Sequence, residues 1–239
     1  MKYNELINEI KFNSTSQLMQ PVMDALLDDT LTIEQQAALI TVLDYRKIAD
    51  EELADLVRFL LAQTNVQNKI HFGLMDVCGT GGDGNNTANI STMVAFTLAA
   101  AGVKLAKHGN YGFSSANGSS SLLEYFGYVF PSTVQACYDQ IDISGIAFVH
   151  APLFHPVLKD IGKIRKNLGV RTFFNSLGPL LNPLQPEFRM NGVNSLSLAR
   201  TYNAFYHAQS DLKYVVVHST DGNDEITLTA PVKYFSNKY

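Results

Sequence analysis

Asp76-Val-Cys-Gly-Thr-Gly-Gly-Asp-Gly-Asn-Asn-Thr-Ala-Asn-Ile-Ser-Thr92 is the stretch that decides the fold of this chain. It runs from an apolar strand end through a glycine-rich turn into a helix opened by Asn89, Ser91 and Thr92. Glycines let the backbone come close to an anion, and the N–H groups at a helix start point toward it. The run is not a P-loop, because no Gly-Lys-Ser/Thr follows, and its glycine spacing differs from the dinucleotide fingerprint. Glycines alone read equally well as a tight turn; the polar helix start directly behind them favours anion binding.

Working outward, a second polar loop follows at Lys107-His-Gly-Asn-Tyr-Gly-Phe-Ser-Ser-Ala-Asn-Gly-Ser119. Lys107 offers a point charge to a phosphate. Ser114, Ser115 and Ser119 offer hydroxyls, although serines are also ordinary turn residues, and Ser119 is placed to open the next helix. His108 reads equally as a packed, hydrogen-bonded loop histidine. Two such loops this close point to a ligand with phosphate groups at both ends. Farther on, Asp221-Gly-Asn-Asp-Glu225 follows a strand candidate. Carboxylates on a loop suit Mg²⁺, which keeps several waters and binds through one or two carboxylates plus substrate phosphates. In isolation Asp-Gly is a turn pair; beside two phosphate loops the metal reading is the better one. Arg165 can pair with a carboxylate, but among Lys159, Lys163 and Lys166 a solvent-facing arginine is the simpler reading. His155 reads as a residue that caps or packs.

No Ser-His-Asp arrangement, activated cysteine or paired glycosidase carboxylates stand out. A diphosphate needs no protein nucleophile, since it leaves readily once its charge is neutralised. The chemistry then rests on positioning and electrostatics.

Helices come first along the chain. Met19, Val22, Met23, Leu26 and Leu27 share one face, with Pro21 near the start, where its missing N–H matters little. Thr32 and Gln35 have capping-box spacing, and Asp50 is expected to cap a third helix carrying Leu53, Leu56, Val57, Leu60 and Leu61. Residues 65–69 read as a linker. From Phe72 the pattern alternates between strands and helices, the signature of an α/β domain. The strand candidates are 72–77, 103–106, 146–150 and 214–218. The helix candidates are 90–101, 119–126 and one starting at Pro156, with Gly102, Gly127 and Gly169 as stops.

With 239 residues, 46% hydrophobic and 17% charged, the chain can bury a sizeable core in one large or two small domains. A formal charge of −4 speaks against a mainly nucleic-acid-binding surface. The two cysteines, Cys78 and Cys137, have no paired spacing and define neither a disulfide framework nor a zinc site. The start has no apolar signal-like run and no segment is long enough to span a bilayer, so a soluble, reduced, cytoplasmic protein is expected.

The motifs together resemble anthranilate phosphoribosyltransferase. They are Cys78-Gly-Thr-Gly-Gly-Asp-Gly, Asn89-Ile-Ser-Thr, Lys107-His-Gly-Asn, Ser114-Ser115, His155-Pro156, Arg171-Thr-Phe-Phe-Asn-Ser-Leu-Gly-Pro-Leu-Leu-Asn-Pro183 and Asp221-Gly-Asn-Asp-Glu. The helical start, with Gln36-Ala-Ala and Asp50-Glu-Glu-Leu, resembles the family's small helical domain. The resemblance implies an α/β fold of the nucleoside-phosphorylase-like phosphoribosyltransferase kind. Residues 1–69 would form a helical domain with 155–190 packing on it; 70–154 and 191–239 would form the α/β phosphoribosyl-diphosphate-binding domain. It also implies transfer of the phosphoribosyl group of 5-phosphoribosyl 1-diphosphate (PRPP) to the amine of anthranilate, releasing pyrophosphate, in tryptophan biosynthesis. A cytoplasmic homodimer acting on neither nucleic acid nor membrane would be usual for the family. Carried over by motif, Gly79, Gly82, Asp83, Thr87, Asn89, Ile90, Ser91, Thr92, Lys107, His108, Gly109, Asn110, Ser114, Ser115 and Ser119 would contact PRPP. Gly79, Asn110 and Arg165 would contact anthranilate, and Ser91, Asp224 and Glu225 would hold two Mg²⁺ per subunit. Lys107 would act electrostatically, with no residue serving as acid, base or nucleophile.

Tyr111 stands where the family often has arginine, Asn117 where it has serine, and Ser121 where it has aspartate. Family chains continue well past the Asp-Glu motif, so the α/β domain is expected to be incomplete here, with apolar edges and faces exposed. A pyrimidine-nucleoside phosphorylase shares the fold and the Lys-His-Gly loop and is the alternative enzyme; a non-catalytic truncated relative is the alternative outside catalysis.

Overall fold

The computed structural model describes residues 1–64, 66, 70–81, 88–112 and 118–237. The chain begins with helices α1 (Tyr3–Phe12), α2 (Met19–Leu26), α3 (Ile33–Arg46) and α4 (Asp50–Ala62). Strand β1 (His71–Val77), α5 (Ile90–Ala100), β2 (Lys104–Gly109), α6 (Ser119–Tyr125), α7 (Val134–Ser144), β3 (Ile146–His150) and the one-turn α8 (Ala151–Phe154) follow. Then come α9 (Pro156–Leu168), β4 (Pro186–Gly192), α10 (Leu196–His207), β5 (Lys213–Ser219) and β6 (Val232–Ser236). These elements form two compact units, Met1–Asn65 with His155–Leu177, and Val66–Phe154 with Gly178–Tyr239. No helix among the described residues is long and apolar enough to cross a membrane.

The first unit is helical. Its core is the apolar stripe of each helix: Leu6 and Ile10 of α1, Met19, Val22, Met23 and Leu26 of α2, Leu39, Ile40 and Leu43 of α3, Leu53, Leu56, Val57 and Leu60 of α4, Ile161 and Ile164 of α9. The Thr32–Gln35 capping box forms as its spacing predicts: Thr32 N–H donates to Gln35 Oε1 at 3.0 Å and Gln35 N–H to Thr32 Oγ1 at 3.3 Å. Asp50 does not cap α4. It is the first helical residue, Ala49 holds the cap position, and the Ala49 N–H is satisfied by Glu52 Oε2 at 2.9 Å. Glu52 is fully buried and bonded to the Arg46 guanidinium through both oxygens. Pro156 is the first residue of α9, and Gly169 ends it with φ +66°.

The second unit is a six-stranded sheet in the order β3-β2-β1-β4-β5-β6, parallel except for β6, which runs antiparallel to β5. One face packs Leu74, Ala106, Ala147 and Val149 against Cys137 and Ile141 of α7. The opposite face packs Val77, Leu105, Ile146 and Phe148 against Ala95 of α5 and Leu123 of α6. Residues 178–190, expected with the helical part, fall in this second unit. The reason is β4, which begins at Pro186 and pairs with both β1 and β5. The expected linker residues 65 and 67–69 lie outside the described residues.

Candidate active site

Strand order reverses between the parallel neighbours β1 and β4. From β1 the sheet grows through β2 and β3 on one side, and from β4 through β5 and β6 on the other. Ligands of open α/β sheets bind at the carboxyl ends of strands at such a switch point. The glycine loop leaves β1 at this place and is bound to the end of β4. Cys78 N–H donates to Met190 carbonyl at 3.2 Å, Thr80 N–H to Gly192 carbonyl at 2.9 Å, and Asn191 Nδ2 to Cys78 carbonyl at 2.7 Å. Tyr206 of α10 donates to Asn191 Oδ1 at 2.6 Å and fixes that amide.

The acidic patch divides in two. Asp221 belongs to its own turn: Thr229 Oγ1 donates to it at 2.6 Å and Thr227 Oγ1 at 3.2 Å. The Thr229 bond, followed by those of the Asn223 side, holds the exposed Asp221 carboxyl well below its ordinary range. Asp224 instead reaches the glycine loop, where Gly81 N–H donates to its Oδ2 at 2.7 Å. A Cβ on Gly79 would lie 2.8 Å from that Oδ2, and one on Gly192 would lie 1.5 Å from the Asp224 carbonyl oxygen. Gly192 is required by the approach of the 223–225 backbone, whereas at Gly79 the close neighbour is the Asp224 side chain.

Ser91 and Thr92 occupy the first turn of α5, behind Asn89 at the cap position. Thr92 and Met93 N–H donate to the Asn89 carbonyl, and the Asn89 side chain makes no capping bond. Lys107 lies beneath this turn, 2% exposed, with Nζ donating to Val77 carbonyl at 2.5 Å and to Ser91 Oγ at 3.2 Å. Burial lowers the ammonium's pKa, and the nearby Asp76 opposes that shift. The second loop folds back on itself: Ser120 N–H donates to Asn110 carbonyl at 3.3 Å, and a Cβ on Gly118 would lie 2.1 Å from Gly112 N. A Cβ on Gly109 would lie 2.5 Å from Ser119 Oγ, so these two expected site residues are neighbours.

The structure thus sets Gly79 against Asp224, Lys107 against Ser91, and Gly109 against Ser119, with Asn110 bound to the residue after Ser119. His108 is buried and hydrogen-bonded, with Nδ1 2.8 Å from Gly178 carbonyl. Arg165 is carried by α9 of the helical unit, with Cζ 5.7 Å from the Phe174 ring centroid. Burial, with the nearby Arg171, lowers its pKa, so it is not the solvent-facing arginine of the simpler reading. Tyr111 donates to Glu124 Oε1 at 2.5 Å and sets its ring edge-on to His150. Gly82, Asp83, Thr87, Ser114, Ser115 and Asn117 lie outside the described residues.

Among the described residues no group of three or more His, Cys, Asp or Glu could hold a metal ion. The Ser91 hydroxyl and the Asp224 and Glu225 carboxylates are all oxygen donors. Such all-oxygen donors fit Mg²⁺ and not a thiolate- or imidazole-bound metal.

Both thiols are structural. Burial pushes Cys78 and Cys137 up to about 12, with Asp76 adding to the effect at Cys78. A thiol reacts as its thiolate. Ellman's reagent at about pH 8 is therefore expected to leave the native protein unmodified and to titrate 2 thiols once guanidinium unfolds it. Rapid reaction of the native protein would contradict the burial of Cys78.

Residues 72–238 match the family described as "Glycosyl transferase family, a/b domain". Anthranilate phosphoribosyltransferase of Christiangramia forsetii is 44% identical over 98% of this chain and 70% of its own length. The crystal structure of anthranilate phosphoribosyltransferase (TrpD) from Thermus thermophilus superposes with a TM-score of 0.84 at 30% identity, covering 97% of this chain and 70% of that one. The Saccharomyces cerevisiae enzyme in complex with PRPP and Mg superposes with a TM-score of 0.83 at 24% identity, over 99% of this chain and 72% of that one, a likeness of fold. The chain spans between 60% and 70% of the length of curated relatives that it matches. With these matches joined to the glycine loop, the buried lysine and the switch-point crevice, the chain belongs to the anthranilate phosphoribosyltransferase family.

Proposed function

We propose that this protein transfers the phosphoribosyl group of PRPP to the amine of anthranilate, giving N-(5-phosphoribosyl)anthranilate and pyrophosphate, in tryptophan biosynthesis. The observation that carries the reading is the buried Lys107 ammonium against Ser91 Oγ at the start of α5, beside a glycine loop whose Gly81 N–H already holds the Asp224 carboxylate. The yeast neighbour's complex with PRPP and Mg agrees with this assignment.

In the proposed reaction the glycine-loop N–H groups and the α5 start hold the diphosphate, and Lys107 neutralises part of its charge. The C1′–O bond breaks with its electron pair passing to pyrophosphate. The anthranilate nitrogen bonds to C1′ from the opposite face, and the proton it sheds is acidic once that bond forms. Mg²⁺, two per subunit, held by Ser91, Asp224 and Glu225, would supply further neutralisation of the leaving group when bound. Asp83, Thr87, Asn89, Ile90, Thr92, His108, Gly109, Asn110, Ser114, Ser115 and Ser119 complete the proposed PRPP contacts, with Gly79 and Gly82 in the loop. Gly79, Asn110 and Arg165 are assigned to anthranilate, Arg165 because a planar guanidinium pairs two-pronged with a carboxylate. A cytoplasmic homodimer is proposed with this activity.

Mass spectrometry of the products tests the reading. Phosphoribosylanthranilate and pyrophosphate in equal amounts are expected. Inorganic phosphate cleaving a pyrimidine nucleoside in the same preparation, with no phosphoribosylanthranilate, would replace it with the phosphorylase reading.

A further inference from the structure

The paired register of β1 and β2 ends at Met75↔Leu105, two residues before β1 itself ends. Beyond that point three side chains take over the backbone groups that the ladder leaves. Lys107 Nζ donates to Val77 carbonyl at 2.5 Å. His108 N–H donates to Asp76 Oδ1 at 3.1 Å. Asn182 Nδ2 donates to Ala106 carbonyl at 2.7 Å and to Asp76 Oδ2 at 2.9 Å, while its own Oδ1 accepts Leu184 N–H at 3.0 Å. Asp76, Lys107 and Asn182 are 0%, 2% and 0% exposed.

Two opposite charges buried at the ends of parallel strands are a costly way to build a sheet, since apolar residues of similar volume often serve stability as well or better. Local rules are broken in this way mostly where function requires it. Each parted strand end launches one loop of the site, β1 the glycine loop and β2 the loop from Gly109. Asp76 is the side chain on the first strand that grips the main chain of the second.

We propose that Asp76, held in place by Asn182, is a positioning residue of the diphosphate site. Its carboxylate fixes the His108 backbone, and so sets where the Lys107 ammonium and the departing loop stand relative to the glycine loop. The inference rests on the PRPP reading of that site. In Asp76→Asn the new amide N–H₂ faces the Asn182 N–H₂, so Asn182 must give up its bonds to Ala106 and Leu184 or lose its bond to residue 76.

The test has two arms on the 239-residue chain. In steady-state kinetics, Asp76→Asn is expected to lower kcat/KM for PRPP by about tenfold or more, with the KM for anthranilate unchanged. In calorimetry, Mg²⁺-pyrophosphate is expected to bind more weakly to the variant by a similar factor. The exchange Asp76→Asn/Asn182→Asp restores the donor–acceptor pair between the two positions, though not the bond to Ala106 carbonyl, and is expected to recover part of both losses, a coupling that a double-mutant cycle reads directly. Unchanged PRPP KM and pyrophosphate affinity in folded Asp76→Asn would overturn the proposal. So would an exchange variant that melts like wild type and binds as weakly as the single variant. Should Asp76→Asn not fold, Asn182→Ser keeps the carboxylate and frees it: weaker pyrophosphate binding supports the proposal, wild-type binding overturns it. A wild-type protein that binds pyrophosphate but consumes no anthranilate removes the proposed function and leaves the calorimetric arm decisive. A wild-type protein that does not bind pyrophosphate overturns both.

Discussion

Lys107→Met is expected to lower phosphoribosyl transfer on the order of 100- to 1,000-fold, the usual loss when one preorganised charge-stabilising donor is removed. The lysine stem already lies in an apolar setting on the face that holds Val77, Leu105 and Phe148, so an unbranched apolar side chain of similar length fits its slot. The variant loses the ammonium and with it the bonds to Ser91 Oγ and to Val77 carbonyl. Asp76 keeps Arg189 opposite it in the β1–β4 register and its bonds from His108 and Asn182, so the fold is retained. Turnover and melting temperature, measured on the same preparation, separate the two effects. A folded Lys107→Met protein within about threefold of wild-type turnover, far short of the loss typical of such a donor, would remove Lys107 from the chemistry.

The second large effect is steric. In Gly192→Ala the methyl carbon would sit 1.5 Å from the Asp224 carbonyl oxygen, where ordinary contact begins at 3.4 Å. The neighbour is backbone, so no rotamer change relieves the clash. The 223–225 loop has to move by more than an ångström, carrying Asp224 off Gly81 N–H and Glu225 with it. Misplacement on that scale commonly costs about 100-fold in rate. The variant should also require more Mg²⁺ for half-maximal activity, because both proposed carboxylate ligands are displaced. Wild-type activity with an unchanged Mg²⁺ requirement would mean that the loop's placement against β4 is irrelevant to function.

The legible parts of the fold were those in which burial and polarity agree. The apolar strands at 146–150 and 214–218, the capping box at Thr32 and the stop at Gly169 announce themselves because each residue type matches its surroundings. Strand β4 does not. Its Glu187, Arg189 and Asn191 alternate with Phe188 and Met190, which reads as a solvent-facing strand or a loop, yet it lies inside the sheet. Each polar residue there has a private partner from elsewhere in the chain: Glu187 pairs with Lys213, Arg189 reaches Gln185, and Asn191 bonds Tyr206. The partners of Asn191 and Glu187, 15 and 26 residues distant in sequence, leave no local signal. Helices α7 and α10 were missed for a different reason. Thr133 and Ser195 do cap them, accepting the N–H of Ala136 at 3.1 Å and Leu198 at 3.3 Å, and those two hydroxyl residues were the available signal.

The site shows the same division. The glycine loop, Lys107 and the acidic patch were legible as chemistry, because glycine, lysine and clustered carboxylates are rarely interchangeable with other residues. Which acid does what was not: Asp221 and Asp224 are three positions apart, and only the folded loop assigns one to a turn and the other to Gly81. Asp76 was hidden altogether. A single carboxylate at the end of an apolar run gives no sign that its partners are the backbone of residue 108 and the amide of residue 182.

The most direct measurement follows anthranilate fluorescence in the presence of the purified chain, with PRPP and Mg²⁺ each supplied or withheld. The account predicts loss of fluorescence only when both are present, and its abolition by EDTA with recovery on added Mg²⁺. Fluorescence that stays constant with both present, in a protein that melts cooperatively, would contradict the assignment of this site to phosphoribosyl transfer onto anthranilate.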